Sequence, residues 1–173
     1  MVGSHKPRTG PSTGKIPSYL LNLGGEYRVC SELNLRGMFA TVTYGNRKGA
    51  DVYVISDGTD RALKVEVKTS QGKNFVTGIT QKGLDGNPPH APDFWVLFSI
   101  QTNRDDTFVE RFFVLAHREI CEVQKTRNER YALGYRARHG KLPDFSTGVD
   151  NVTVNDVIEH EGKWLKIKAR LER

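Results

Sequence analysis

The segment from Asp51 to Lys68 (DVYVISDGTDRALKVEVK) constrains this chain more than any other. Apolar residues alternate with polar ones, at Val52 and Val54 and again at Leu63, Val65 and Val67. A period of two marks a strand with one buried face. Between the runs lies Asp57-Gly58-Thr59-Asp60, a cluster of turn residues in which Asp57 and Asp60 need no further role. Gly58 suits the first central position of a two-residue type II′ loop, so the spacing predicts a hairpin centred at Gly58-Thr59. Asp51 then falls opposite Glu66, and opposed residues project to the same face with Cβ atoms roughly 4.5–5.5 Å apart. Lys68, two residues further on, shares that face. The opposite face carries Val52, Val54, Leu63, Val65 and Val67, a continuous apolar surface for a core. A slip of one residue would send Asp51 to the other side of the sheet from Glu66.

Two opposed carboxylates repel one another and weaken a hairpin that has nothing to compensate them. Mg²⁺, with Mn²⁺ as a substitute, prefers carboxylate oxygens and keeps several waters of its own. Such a cation polarises a phosphodiester oxygen and lowers the pKa of bound water. An ammonium group beside it orients the water or stabilises charge building on phosphorus.

The remaining chain supplies a frame for this hairpin. The pattern predicts a helix over about Ser18–Asn22, a break at Gly24-Gly25, and a second helix from Glu26 to Arg36. Glu26, Val29, Cys30 and Leu33 share one face of the second piece, and Gly37 suits its C-terminal cap. Met38–Tyr44 reads as a strand, as do Phe94–Gln101 and Phe108–Ala116, whose aromatic residues are assigned to the core. A glycine-rich stretch over about Ser70–Pro92 reads as a functional loop or lid. Arg118–Leu133 reads as helical, Pro143–Asn151 as irregular, and Asn155 as the cap of a last helix through Trp164. The order predicts an α/β fold: a central mixed sheet of four or five strands flanked by helices, one domain over residues 18–173. Residues 1–17, with Lys6, Arg8 and Lys15 and no acidic residue, read as a flexible basic arm.

Gly49-Ala50-Asp51 followed by Val65-Glu66-Val67-Lys68 resembles the PD-(D/E)XK, or restriction-endonuclease-like, nuclease superfamily. There a strand opens with the Asp and the next carries Glu-x-Lys. Ala50 stands in place of the proline that names the motif. Gly25 to Leu33, ending at Gly37, resembles the first helix of the Holliday-junction-resolvase-like branch, and the likeness extends over about residues 24–101. The resemblance implies a restriction-endonuclease-like core and a metal-dependent endonuclease acting on DNA. It implies a metal held by Asp51, Glu66 and the Val67 carbonyl, Lys68 acting on water or phosphate, and Glu26 as a further acidic member. A nucleic-acid-binding module without catalysis is the alternative on the same fold. The retention of Asp51, Glu66 and Lys68 favours the enzyme.

The formal charge of +6 over 173 residues suits a polyanionic partner. Arg47 and Lys48 before the motif, and Lys73 and Lys82 after it, are placed to contact DNA. The densest basic segment is residues 125–141, with six Lys or Arg against one Glu and two interleaved tyrosines, Tyr131 and Tyr135. Two cysteines and five scattered histidines give no zinc spacing and no nucleophile pattern. No stretch approaches the roughly 20 apolar residues of a membrane span, and the N-terminus has no apolar signal core. The sequence therefore predicts an intracellular, cytoplasmic protein. A homodimer is expected by analogy with nucleases that cut two strands.

Overall fold

The alternation at residues 52–67 does produce a two-faced hairpin. The computed structural model describes residues 15–43, 50–84, 88, 90–103, 105, 107–144 and 150–173. Strand β1 (Phe39–Val42) pairs antiparallel with β2 (Val52–Ile55), and β2 pairs antiparallel with β3 (Ala62–Ser70). β3 runs parallel to β5 (Phe94–Thr102), which pairs antiparallel with β6 (Phe108–Ala116). The central sheet is thus mixed and five-stranded, in the order β1-β2-β3-β5-β6. Val52, Val54, Leu63, Val65 and Val67 are all buried, as the alternation requires.

Two cores form, one on each side of the sheet. Helix α1 (Ser18–Leu35) places Val29 and Leu33 against the apolar face of β2 and β3, and helix α4 (Leu165–Leu171) adds Ile167 and Leu171 beside Trp164. On the other face, Trp95, Leu97, Phe113 and Leu115 pack with Ile120 and Cys121 of helix α3 (His117–His139). A small second sheet completes that side: β4 (Asn74–Val76) pairs with β7 (Asn151–Thr153), burying Phe75 and Val152. A short helix α2 (Gln81–Leu84) follows β4.

Four local expectations are corrected. The hairpin keeps the expected register, with Val52 opposite Val65, but its turn is wider. The last backbone bond joins Ser56 N–H to Arg61 O (3.0 Å), leaving residues 57–60 as the loop. Gly58 is absent from the glycines with positive φ, so the turn is not type II′. A four-residue loop with the same centre preserves the pairing, which is why the facing of side chains survives.

The predicted break at Gly24-Gly25 does not occur; α1 is continuous. Gly25 is needed for packing: a Cβ there would lie 1.8 Å from Thr69 Oγ1 of β3. Gly37 ends the helix as expected, at φ 74°, with Gly37 N–H bonding Asn34 O (2.9 Å) and Met38 N–H bonding Leu33 O (3.1 Å). This is the paired pattern of a Schellman motif. The stretch read as a loop or lid carries β4 and α2. The last helix begins after Trp164, not at Asn155, and single 3-10 turns occupy Val154–Asp156 and Ile158–His160. Among the described residues, no helix is long and apolar enough to cross a membrane.

Candidate metal and phosphodiester site

The site forms where β2 stops and β3 continues. β3 is nine residues long, but β2 covers it only as far as Val65. Asp51 N–H donates to Val65 O (2.9 Å), although Val52 is the residue opposite Val65. Residues 51 and 52 therefore both address Val65, the arrangement of a β-bulge, which re-aims a side chain at the end of a ladder. The Asp51 carboxylate then accepts from Val67 N–H through Oδ2 at 2.7 Å. Asp51 thus brackets Glu66, with its backbone on the residue before and its side chain on the residue after. This replaces the expected direct opposition of Asp51 and Glu66 with a bridged one.

Alternate residues of a strand present their backbone groups to the same edge. The Val67 carbonyl, like that of Val65, therefore faces the edge that β2 vacates. Glu66 and Lys68 share the other face of β3, as period two requires, and Lys68 Nζ lies 2.6 Å from Glu66 Oε1. Both side chains are largely covered, at 15% exposure for Glu66 and 31% for Lys68. Lys68 Nζ also lies 5.9 Å from the centre of the Trp95 ring. The indole forms part of the site's floor, although the sequence marks it only as core. Nothing local could reveal this, because Trp95 meets β3 through a parallel pairing across 29 residues, with Glu66 opposite Trp95.

Glu26 arrives from α1. Because Gly25 lies directly on Thr69, the helix crosses close over the C-terminal part of β3 and carries Glu26 beside the uncovered edge. Two contacts fix that crossing. Ile16 N–H donates to Gln71 Oε1 (2.7 Å), and Arg28 grips Glu110 of β6 with contacts of 2.8 to 3.2 Å. Burial raises the Glu26 pKa, and the Asp51 and Glu66 charges raise it further, while Lys68 opposes them. The Asp51 pKa is raised by burial first and the Glu66 charge second; the Val67 hydrogen bond and Lys68 pull the other way. Three carboxylates and one ammonium thus form a single electrostatic group, strained first by burial and then by like charge.

That donor set suits a hard divalent cation: carboxylate oxygens from Asp51, Glu66 and Glu26, with a main-chain carbonyl alongside. Among the described residues, no three His, Cys, Asp or Glu side chains already stand together in coordinating positions. Two of the carboxylates are already bonded within the protein. Lys68 draws Glu66 Oε1 to itself, and Val67 N–H holds Asp51 Oδ2. Each carboxylate keeps a second oxygen, so a cation would compete with Lys68 for Glu66.

The other expected contact residues fare differently. Lys73 is exposed in the connection just after β3, and its carbonyl accepts from Val154 N–H (2.8 Å). Lys82 lies on α2, not in a loop. Arg47 and Lys48 lie outside the described residues, as do residues 1–14 of the basic arm.

An open cleft lies elsewhere. Its volume is about 860 Å³, and its lining includes Lys64, Asp93, His117, Cys121 and Lys125 but none of the four site residues. It contains a cysteine–histidine contact, with Cys121 Sγ 3.7 Å from His117 Nε2. Trp95 Nε1–H donates to His117 Nδ1 (3.1 Å), so neutral His117 carries its proton on Nε2, facing the sulfur. It cannot take a proton from the thiol, and burial raises the Cys121 pKa. The pair is not an activated nucleophile.

Comparison with protein-family models and with curated proteins gave no match.

Proposed function

We propose that this protein is a metal-dependent endonuclease that hydrolyses DNA phosphodiester bonds on a restriction-endonuclease-like core. The observation that carries the reading is the convergence of Glu26, Asp51, Glu66 and Lys68, from one helix and two strands, at the point where β2 ends. A purely structural cluster would pair its carboxylates with cations one for one. Here Lys68 contacts Glu66, while the Asp51 and Glu26 charges act on the same group.

Asp51, Glu66 and the Val67 carbonyl would hold Mg²⁺, with Glu26 as an additional ligand. Bound there, the cation would polarise the phosphodiester and lower the pKa of the attacking water. Lys68, held at its Nζ by Glu66, orients that water or balances negative charge developing on the phosphoryl oxygens. The net charge of +6 favours a polyanionic substrate.

The test is a Mg²⁺ or Mn²⁺ cleavage assay over duplex, branched and single-stranded DNA and RNA. Lys68→Ala and Asp51→Asn should each abolish cutting while circular dichroism remains native. Asparagine is preferred to alanine at 51 because it keeps an acceptor for Val67 N–H. Retained cutting by both variants would rule out this site. Metal-independent binding with no cutting of any substrate would identify a non-catalytic binding module.

A further inference from the structure

The C-terminal half of α3 lies at the surface, where Arg130 Nη1 still meets Asp156 Oδ1 (3.3 Å). Up to Asn128 the helix is packed, with Ile120, Cys121, Gln124 and Asn128 buried. From Glu129 to His139 no residue is buried, a length of about 16 Å at 1.5 Å per residue. Gly140 closes the helix at φ 68°, with its N–H on Arg136 O (2.8 Å).

This helix surface has a definite chemistry. Residues 129–141 hold four Lys or Arg against one Glu. Tyr131, Tyr135 and His139, spaced by four, form an aromatic ladder along one side, with ring centres 5.9 Å and 4.3 Å apart. Among the described residues, neither Arg136 nor Arg138 meets a carboxylate; Arg138 Nε bonds only its own helix, at Gly134 O (3.1 Å). Exposed aromatic faces beside uncompensated guanidinium groups are the combination that binds unpaired nucleotides, the bases stacking and the phosphates pairing with the cations. A duplex keeps its base faces inside the stack and offers them no partner. A second copy of this chain fits worse, since a two-fold interface sets the same patch against itself and would oppose two positive strips.

We infer that this arm binds the unpaired strands of a forked DNA, through Tyr131, Tyr135, Arg136 and Arg138. The inference rests on the nuclease reading for its choice of DNA, but binding can be measured apart from cutting. The probes are a labelled forked DNA with unpaired arms, the blunt duplex of the same sequence, and single-stranded DNA and RNA. Anisotropy is recorded without Mg²⁺ on the full chain carrying Asp51→Asn. Adding Tyr131→Ala and Tyr135→Ala should weaken fork binding about tenfold or more while changing blunt-duplex binding less than about twofold. Adding Arg136→Ala and Arg138→Ala should reduce the slope of log affinity against log salt by about 1.4, from about 0.7 per lost contact. Circular dichroism should remain native, because all four positions lie outside the core.

Unchanged fork binding in both variants would overturn the inference. So would equal weakening on fork and blunt duplex, or a changed oligomeric state in sedimentation with DNA binding intact. If the arm variants lose fork binding but the parent chain with Asp51 restored never cuts with Mg²⁺, the inference stands and the nuclease reading fails. If the parent cuts and the arm variants bind forks normally, the reverse holds.

Discussion

Asp51 contributes a charge and a hydrogen-bond acceptor, and two substitutions separate them. Asp51→Asn removes the charge but keeps an oxygen for Val67 N–H. Asp51→Ala removes both. Val67 is only 7% exposed, so water would compensate poorly for the missing 2.7 Å bond. A stranded buried donor costs about 1–3 kcal/mol. For a chain of this length each kcal/mol moves the melting temperature by about 2–4 °C. Asp51→Ala should therefore melt below Asp51→Asn by on the order of 5 °C.

The asparagine variant should itself melt above the parent in EDTA at neutral pH, because burial and the Glu66 charge oppose ionisation of Asp51. The pH dependence has a definite sign. With the native pKa raised above the ordinary 3.8, the folded state holds more protons than the unfolded state between those two values. Parental stability therefore falls as pH rises through that window and levels off above it. Asp51→Asn lacks this component, so the two curves converge below pH 3.8. A cation that binds only the folded state adds about 2.7 kcal/mol at a hundredfold excess over its dissociation constant. Mg²⁺ should raise the parental melting temperature and leave both variants nearly unmoved. Scanning calorimetry with and without Mg²⁺ measures all three effects. If the asparagine and alanine variants melt together, the Val67 bond contributes nothing. Equal Mg²⁺ shifts in parent and Asp51→Asn would remove Asp51 from the metal site.

Two further perturbations test how the scaffold sets the site. Gly25→Ala should cost about 1–3 kcal/mol by overpacking against Thr69 and should reduce cleavage by displacing Glu26. Thr69→Ala in the same chain should restore part of both, and unchanged melting in Gly25→Ala alone would refute the close approach. Gly37→Ala forces a Cβ into a left-handed position at φ 74° and should cost about 1–2 kcal/mol with cleavage by the folded protein unaffected. An activity loss at matched folded fraction would show that the end of α1 also shapes the site.

The hairpin was legible because its determinants are local. Five buried apolar side chains on one face and Glu66 and Lys68 on the other follow from period two alone. The pairing depends on where the turn is centred, not on its type. The wider loop over 57–60 therefore changed the turn without changing the faces. Gly37 was equally legible, since a glycine after the last helical turn has one common conformational use. By contrast, β4 pairs with β7 across 75 residues at Val76–Asn151 and 79 residues at Asn74–Thr153. Two three-residue strands carry too little periodicity to mark themselves, and only the burial of Phe75 and Val152 explains the pair.

The same division runs through the site. The sequence by itself determined that Asp51, Glu66 and Lys68 belong to one hairpin and that an apolar face backs them, because alternation along a strand needs no distant partner. Tertiary structure decided that β2 stops at Asp51, that its carboxylate spans to Val67 N–H, and that Trp95 underlies Lys68. It also reversed the meaning of Gly24-Gly25. A glycine pair reads locally as a helix break because glycine gains the most entropy on unfolding. Packed against Thr69, Gly25 instead permits the close crossing that delivers Glu26 to the two strand carboxylates. Which effect wins depends on what lies across the interface, and a sequence position 44 residues away supplies it.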